Sequence, residues 1–430
     1  MGIRETAVWS WRKWLRTGVR STVARNAASL YLIQFANYIV PLIMVPYLVR
    51  VLGPAGYGAV AFAQGFINYL MLFVEYGFDW SATRKISVQR ENLEAVNHTA
   101  LHVWAAKGLL ALAGFVVLLA LTALVPKLGE VRLLLLALYG MVLGNVLFPT
   151  WLFQGMERMV AISVINLGMK LSILAGVFLL VKRSEDAALY AGLLGGGSFL
   201  AGLTGAAVAF WMFRLWRVKI SLLEIWRLLI EGGRLALSKI FINSYTSSRI
   251  FIIGFFVDYK TVGLYAVAEK IATVIQTFIL SPLISALYPR LSKLFAEDPR
   301  RTIGILNMAN RMTTVSYAIL IFWGVLFADL IVKIFAGMAY GPSVIVLRLL
   351  LVSVFFVNAN AFRIQTFLIV RDYNSWFLIH FVGSLIGVIT LVFLTYFYSL
   401  IGAALSVAIT EFVVLLLTIF ILQNKNFEKQ

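Results

Sequence analysis

Of 430 residues, 61% are hydrophobic and only 13% are charged, where an ordinary soluble domain carries about 25%. The chain has a net charge of +18 and no cysteine, which excludes disulfide scaffolds and thiolate metal sites. Uninterrupted apolar runs of roughly twenty residues exclude an outer-membrane barrel, whose strands alternate apolar and polar positions; what remains is an all-α polytopic membrane protein.

The first segment, 1–25, is basic and rich in tryptophan: Arg4, Trp9, Trp11, Arg12, Lys13, Trp14, Arg16, Arg20 and Arg25. It lacks the apolar stretch of a cleavable signal peptide. It is expected either to lie along the inner leaflet, with Trp at the headgroups and basic groups on anionic lipid, or to form a cytoplasmic tail. Asn26–Val49 is uncharged and exceeds the ~20 residues that cross a bilayer as a helix. Leu52-Gly53-Pro54-Ala55-Gly56-Tyr57-Gly58 is a turn signal. A second run from Gly58 stays uncharged as far as Glu75, and charge returns at Asp79, Arg84 and Lys85.

Hydropathy predicts about twelve transmembrane helices, at 26–50, 57–80, 99–125, 131–153, 160–181, 187–213, 235–257, 261–287, 305–333, 343–368, 374–398 and 400–423. The links alternate in charge. The N-terminus and 81–98, 154–159, 214–234, 288–304 and 369–373 hold most of the Lys and Arg, while the opposite links, the Ser399 turn among them, are short and carry few. The positive-inside rule then puts both termini in the cytoplasm. The basic balance is accounted for by topology, and no basic folded domain is left to hold nucleic acid.

The first hairpin has an echo. Gly58, Ala61, Ala63 and Gln64 match Gly263, Ala266, Ala268 and Glu269 at one constant offset. The chain therefore divides into an N-terminal six-helix bundle at 26–213, an amphipathic linker at 214–234, a C-terminal six-helix bundle at 235–423 in parallel repeat, and a tail at 424–430. The linker, with Trp216, Arg217, Lys219, Leu222, Ile225, Trp226, Arg227 and Leu229, reads as an interfacial helix. Gly192, Gly195, Gly196, Gly197, Gly202 and Gly205 in the sixth span, and Gly383 and Gly387 in the eleventh, suit close helix packing.

No catalytic constellation is present. His98, His102 and His380 are too scattered for a metal cluster, and HExxH, P-loop and nucleophile-elbow motifs are missing. A membrane glycan polymerase or ligase would need a long outer loop, and the outer links are short. The residues that need an explanation are the ionisable groups inside spans: Glu75, Lys107, Lys170, Arg249, Glu269, Lys270, Arg348, Arg363 and Glu411. Each costs about 2.5–3.5 kcal/mol at the bilayer centre unless it faces water or a partner. The cationic excess among them favours an anionic substrate, with Arg348 and Arg363 placed to snorkel. Arg249 lies about ten residues before the turn at Tyr259-Lys260, and Glu269 and Lys270 about ten after. At ~1.5 Å per residue all three fall near the midplane. Two readings are open: Arg249 and Lys270 help form an anion-binding cavity while Glu269 tempers their charge or carries a coupling proton, or Arg249 and Glu269 form an ion pair that only holds the hairpin together.

The run Asn26, Tyr38, Pro41, Pro46-Tyr47, Leu52-Gly53-Pro54, Tyr57-Gly58 resembles the polysaccharide flippases of the O-antigen translocase (Wzx) type. So do Tyr76-Gly77-Phe78 with Ala82-Thr83-Arg84-Lys85-Ile86-Ser87, and Pro149-Thr150-Trp151-Leu152-Phe153-Gln154-Gly155-Met156-Glu157-Arg158. That family belongs to the multidrug/oligosaccharidyl-lipid/polysaccharide exporter superfamily. The resemblance implies two six-helix bundles around a central cavity in the bacterial inner membrane. It also implies movement of an undecaprenyl-pyrophosphate-linked glycan from the cytoplasmic to the periplasmic leaflet by alternating access. A multidrug antiporter of the same superfamily is the alternative. On this reading the partners are the lipid-linked glycan, the bilayer and polysaccharide polymerase machinery. No cofactor is expected beyond a coupling H⁺ or Na⁺. Candidate cavity residues are Arg249, Lys270, Lys107, Lys170, Gln34, Asn37, Tyr38, Asn243 and Tyr245; candidates for ion coupling are Glu269, Glu411 and Glu75.

Overall fold

The computed structural model describes residues 22–216, 218–233 and 249–425, with side chains from Ile39 onward save at three positions of the helix Tyr259–Glu297. Among the described residues every regular element is helical. Among the described residues eight helices are long and apolar enough to cross a membrane, or nine if one bent pair is a single span. Asn243 and Tyr245 lie outside the described residues, and the side chains of Gln34, Asn37 and Tyr38 do as well.

The chain forms two compact units that alternate along the sequence. One draws on Met1–Met44, Leu70–Leu180 and Leu189–Leu237, the other on Val45–Tyr69, Val181–Ala188 and Ser238–Gln430.

In the first unit, α1 (Thr22–Glu75) ends at the left-handed pair Tyr76-Gly77, and α2 (Phe78–Gln89) follows at once. Phe78, Ala82 and Ile86 recur every four residues and form the buried face of α2. The Thr83 hydroxyl of α2 donates to the Trp151 carbonyl at 3.2 Å, and Gly155 comes so close to Ile86 that a Cβ there would fall 2.7 Å from its Cγ2. Two of the stretches singled out in the sequence thus pack on each other, since Trp151 and Gly155 belong to α6 (Thr150–Gly155). The Arg90 guanidinium meets Glu157 at 2.7 Å beside them.

α3 (Leu93–Leu124) starts at Asn92, whose side chain accepts from the Ala95 amide. Trp104 and Lys107, one turn apart on α3, donate to the carbonyls of Leu147 and Asn145 at 3.3 and 2.7 Å. Those carbonyls belong to the last turn of α5 (Arg132–Leu147), where no intrahelical donor is left for them. After the short α4 (Pro126–Gly129), Gly140 and Gly144 of α5 meet Gly195, Ser198 and Gly202 of α8 (Ala187–Phe213) backbone to backbone. Between them in sequence runs α7 (Met159–Leu180). The link beyond α8 is tied down by α3. Asn97 exchanges two hydrogen bonds with the Trp216 backbone, and His102 Nε2 accepts from the Ser221 amide while Nδ1 donates to the His98 carbonyl. The helix that follows, α9 (222–233), leaves Leu222, Leu223, Trp226 and Ile230 exposed along one stripe.

In the second unit α1 is broken at Gly53 alone, with φ 67° and ψ 176°. A positive φ suits glycine, and the residue before a proline is driven to extended ψ. Pro54 then starts the next arm, where its missing N–H leaves no gap. The turn is therefore narrower than the seven residues the sequence suggested. α10 (Arg249–Ile253) and α11 (Tyr259–Glu297) follow, and the Asp258 side chain caps α11 by accepting from Thr261 at 3.0 Å. α11 runs through the stretch expected to be a link at 288–304 and stops only at Asp298. That residue caps α12 (Pro299–Leu326) by accepting from Arg301 at 2.9 Å. The ninth expected span turns out to be two helices, α12 and α13 (Ala328–Ala336), bent by 71°.

After α14 (Ser343–Ile369), α15 (Tyr373–Asn424) would be nearly 80 Å long if straight. It reverses at Ser399, with φ 49° and ψ −127°. Thr390 faces Thr410 at 3.5 Å, Gly383 lies against Val414, and Lys425 reaches Asp372 and Ser375, so the two arms form an antiparallel hairpin.

The tip of α1 is bound within this unit. Tyr340 donates to the Val49 carbonyl at 3.1 Å, Arg50 to that of Ile334, and Tyr47 to that of Val181 at 2.7 Å. Gly58 and Gly263 cross without room for a Cβ on either. Gly58 faces the Tyr259 carbonyl and Gly263 faces the Pro54 carbonyl, so the contact is reciprocal between the two stretches that echo each other in sequence. Phe62 continues the crossing, with its ring 5.4 Å from Phe251, 5.6 Å from Phe255 and 5.7 Å from Tyr259.

Candidate functional site

In the second unit Glu269, Lys270 and Glu411 gather near Arg249. The cap at Asp258 fixes where α11 starts, and Glu269 then sits in the first third of the helix on the side facing α10. Arg249 Nη1 and Glu269 Oε1 stand 3.4 Å apart, with 17% and 18% of the two side chains exposed. Counting residues from the turn thus puts the two groups level, as they are. Lys270 is half-buried next to Glu269. Tyr57 and Tyr265 also lie close to that carboxylate, and the buried Tyr265 hydroxyl stands beside Arg249.

A second carboxylate comes from far along the chain. Arg249 and Glu411 line one cavity, together with Gly387, Val388 and Leu391 of the first arm of α15 and Ser406, Val407 and Thr410 of the second. Its volume of about 10 Å³ is room for about one water. The Ser406 and Thr410 hydroxyls satisfy carbonyls of their own arm, at 2.8 and 2.7 Å. The guanidinium is therefore placed with Glu269 on one side and Glu411 on another. With all groups ionised, Arg249 and Lys270 balance Glu269 and Glu411. An incoming anion would have to compete with two carboxylates for Arg249. Neutralising either one would leave the guanidinium with spare hydrogen-bonding capacity, since its planar fork carries five donors. Proximity of Glu269 to Arg249 could be read from the sequence by counting. Proximity of Glu411 could not, because no local pattern says which late helix packs on α10.

The other candidates are not among the residues that line or pair within this cluster. Lys107 is 3% exposed and donates to the Asn145 carbonyl at the end of α5 in the first unit. Lys170 is half-buried on α7, and Glu75 is the last residue of α1. Arg348 is exposed and donates to the Val325 carbonyl at 3.3 Å, near the end of α12, and Arg363 donates to Ala359 within its own helix. Among the described residues no group of His, Asp and Glu could hold a metal ion.

These helices define a class of protein, the multi-pass α-helical membrane protein. Over 93% of the chain the fold matches a lipid II flippase, MurJ, in an inward closed conformation, with TM-score 0.75, 15% identity and 89% of that chain covered. It also matches the inward-facing conformation of a multidrug resistance MATE family transporter of the MOP superfamily, with TM-score 0.66, 14% identity, and 91% of this chain and 99% of that one covered. Residues 23–295 match the family described as "Polysaccharide biosynthesis protein", and the chain belongs to that family. Two curated relatives carry the name "Putative O-antigen transporter". The one from Escherichia coli (strain K12) is 28% identical, with 94% of this chain and 98% of the relative covered; the one from Shigella dysenteriae is 26% identical, with 91% and 98% covered. The resemblance seen in the sequence motifs and the all-helical membrane fold both stand. The relatives are named as transporters or flippases, which are not enzymes.

Proposed function

We propose that the protein flips an undecaprenyl-pyrophosphate-linked oligosaccharide, a repeat unit of O-antigen or another surface polysaccharide. The movement runs from the cytoplasmic to the periplasmic leaflet of the bacterial inner membrane, by alternating access, with both termini cytoplasmic. The observation that carries this reading is the end-to-end match to proteins named O-antigen transporters, in a fold shared with a lipid II flippase. The physical need is plain: sugars and pyrophosphate cannot enter hydrocarbon without replacements for their water. The cluster around Arg249 supplies a way to couple such movement to an ion. While Glu269 and Glu411 are both charged, they occupy the guanidinium. A proton or Na⁺ taken up by either carboxylate releases Arg249 toward the pyrophosphate, for which a planar bidentate donor is well suited.

Deletion of the gene tests this. Lipid-linked repeat units should accumulate on the cytoplasmic side, surface polysaccharide should disappear, and the gene in trans should restore it. Unchanged surface glycan with altered drug sensitivity would favour the multidrug alternative, whose fold the chain shares.

A further inference from the structure

The first unit carries a groove that the cluster around Arg249 has no part in. Its walls are the first turns of α7 and the last turns of α8: Val160, Ala161, Val164 and Ile165 on one side, Val208 and Met212 on the other. Its volume is about 440 Å³, and Glu157 and Arg158 stand at its mouth. The apolar walls are open to the surroundings, with Val160 36%, Val164 63% and Met212 38% exposed. Glu157 is engaged by Arg90 at 2.7 Å. Arg158 is exposed and, among the described residues, its side chain has no partner. Arg214, also exposed, follows two residues after Met212 at the same end, flanked by Trp211 and Trp216, which are 82% and 45% exposed.

We propose that this groove is a binding site for an anionic phospholipid of the cytoplasmic leaflet. One acyl chain lies between α7 and α8, and the phosphate is held by Arg158 and Arg214. Charge complementarity selects the occupant. The Arg158 guanidinium sits where an apolar channel opens, Arg214 follows two residues after the lining residue Met212, and basic pockets between helices suit anionic headgroups. Exposed tryptophans at the same level are placed for the headgroup layer. The groove wall is hydrocarbon throughout, so a free soluble anion would leave it unfilled. This site is independent of the transported substrate and stands or falls without the flippase reading.

The test uses the full chain purified in mild detergent, with native mass spectrometry after titration with phosphatidylglycerol or phosphatidylcholine of matched acyl chains. Wild type is expected to retain phosphatidylglycerol preferentially. Arg158→Gln with Arg214→Gln should bind it about thirtyfold more weakly, for two basic groups at ~1 kcal/mol each. Arg158→Lys should retain most of the binding, and Val164→Trp should abolish it by filling the groove with both charges intact. Thermal unfolding of the same samples reports folding, and phosphatidylglycerol should raise the wild-type midpoint but not that of Val164→Trp. Equal retention of the two lipids by wild type, or undiminished phosphatidylglycerol binding by the double variant, would overturn the site. Displacement of phosphatidylglycerol by substoichiometric polyprenyl phosphate would overturn the choice of occupant.

Discussion

At the scale of single residues, the most informative change is the meaning of Arg249. From the sequence it is one more cation among in-span charges, paired by counting with Glu269. In the fold it pairs with Glu269 and shares one cavity with a second carboxylate, Glu411, on the last helix of the chain. A simple charge reversal of Arg249 and Glu269 is therefore not neutral, because it would set a new carboxylate beside Glu411. Single neutralisations are cleaner. Glu269→Gln or Glu411→Gln leaves Arg249 one partner and should lower stability only modestly. Glu269→Gln with Glu411→Gln leaves it with neither carboxylate, and removing the charged partner of a buried charge costs up to about 3–5 kcal/mol. The double variant should thus lose more than the sum of the singles, read as the thermal midpoint in detergent and as protein level in membranes. Additive losses would mean that Arg249 is not shared. Lys107 teaches the complementary lesson. In sequence it is one more cation in an apolar helix, and in the fold its ammonium donates to the Asn145 carbonyl. A neighbouring helix terminus that needs donors is invisible from the lysine's own surroundings in sequence.

At the scale of elements, breaks written in glycine or proline were legible and those set by packing were not. Gly53-Pro54 announces its turn, and the turn at Ser399 follows from hydropathy, since so long an apolar run cannot stay straight in a bilayer. The bend at Phe327 has no such marker, and α11 continues through Pro289 into what reads as a polar link. Ser399 holds a φ, ψ pair that suits glycine, a strain of roughly 1–3 kcal/mol. Ser399→Gly should raise the thermal midpoint, by about 1 kcal/mol of stability once the extra freedom of unfolded glycine is deducted. The open end of the same hairpin is closed by Asp372. Its side chain caps the helix at Ser375 and accepts from Lys425 at 2.5 Å. Burial alone would raise this carboxyl, but the Lys425 and Ser375 hydrogen bonds outweigh it and hold the group below the usual range. A carboxyl depressed in the fold adds stability above its unfolded value of about 3.9, and that stability is lost as pH falls through the folded value. The advantage of wild type over Asp372→Asn should therefore hold down to about pH 4 and fade below it.

At the scale of the whole molecule, the alternating access we propose requires that some packed helices part during each cycle, and the crossing of α1 and α11 is the place to look. Gly58 and Gly263 meet there backbone to backbone, and Phe62 fills the next layer against Phe251, Phe255 and Tyr259. So tight a contact excludes solvent, and nothing the size of a saccharide passes while it is made. A reversible lock can ask whether it opens, because the natural chain has no cysteine to interfere. A Cβ at Gly65 would stand 2.9 Å from that of Phe251, a little under the ~3.5–4.5 Å of a disulfide. Easing the helices apart by under about an ångström would allow the bond to form. Gly65→Cys with Phe251→Cys should therefore cross-link under mild oxidation. Export of surface polysaccharide should stop in the oxidised protein and return on reduction, while each single variant stays active under both conditions. Failure to cross-link in membranes would mean that the two segments do not hold this register there. Full export by the cross-linked protein would mean that this crossing is fixed scaffold, and that the path for the glycan opens elsewhere.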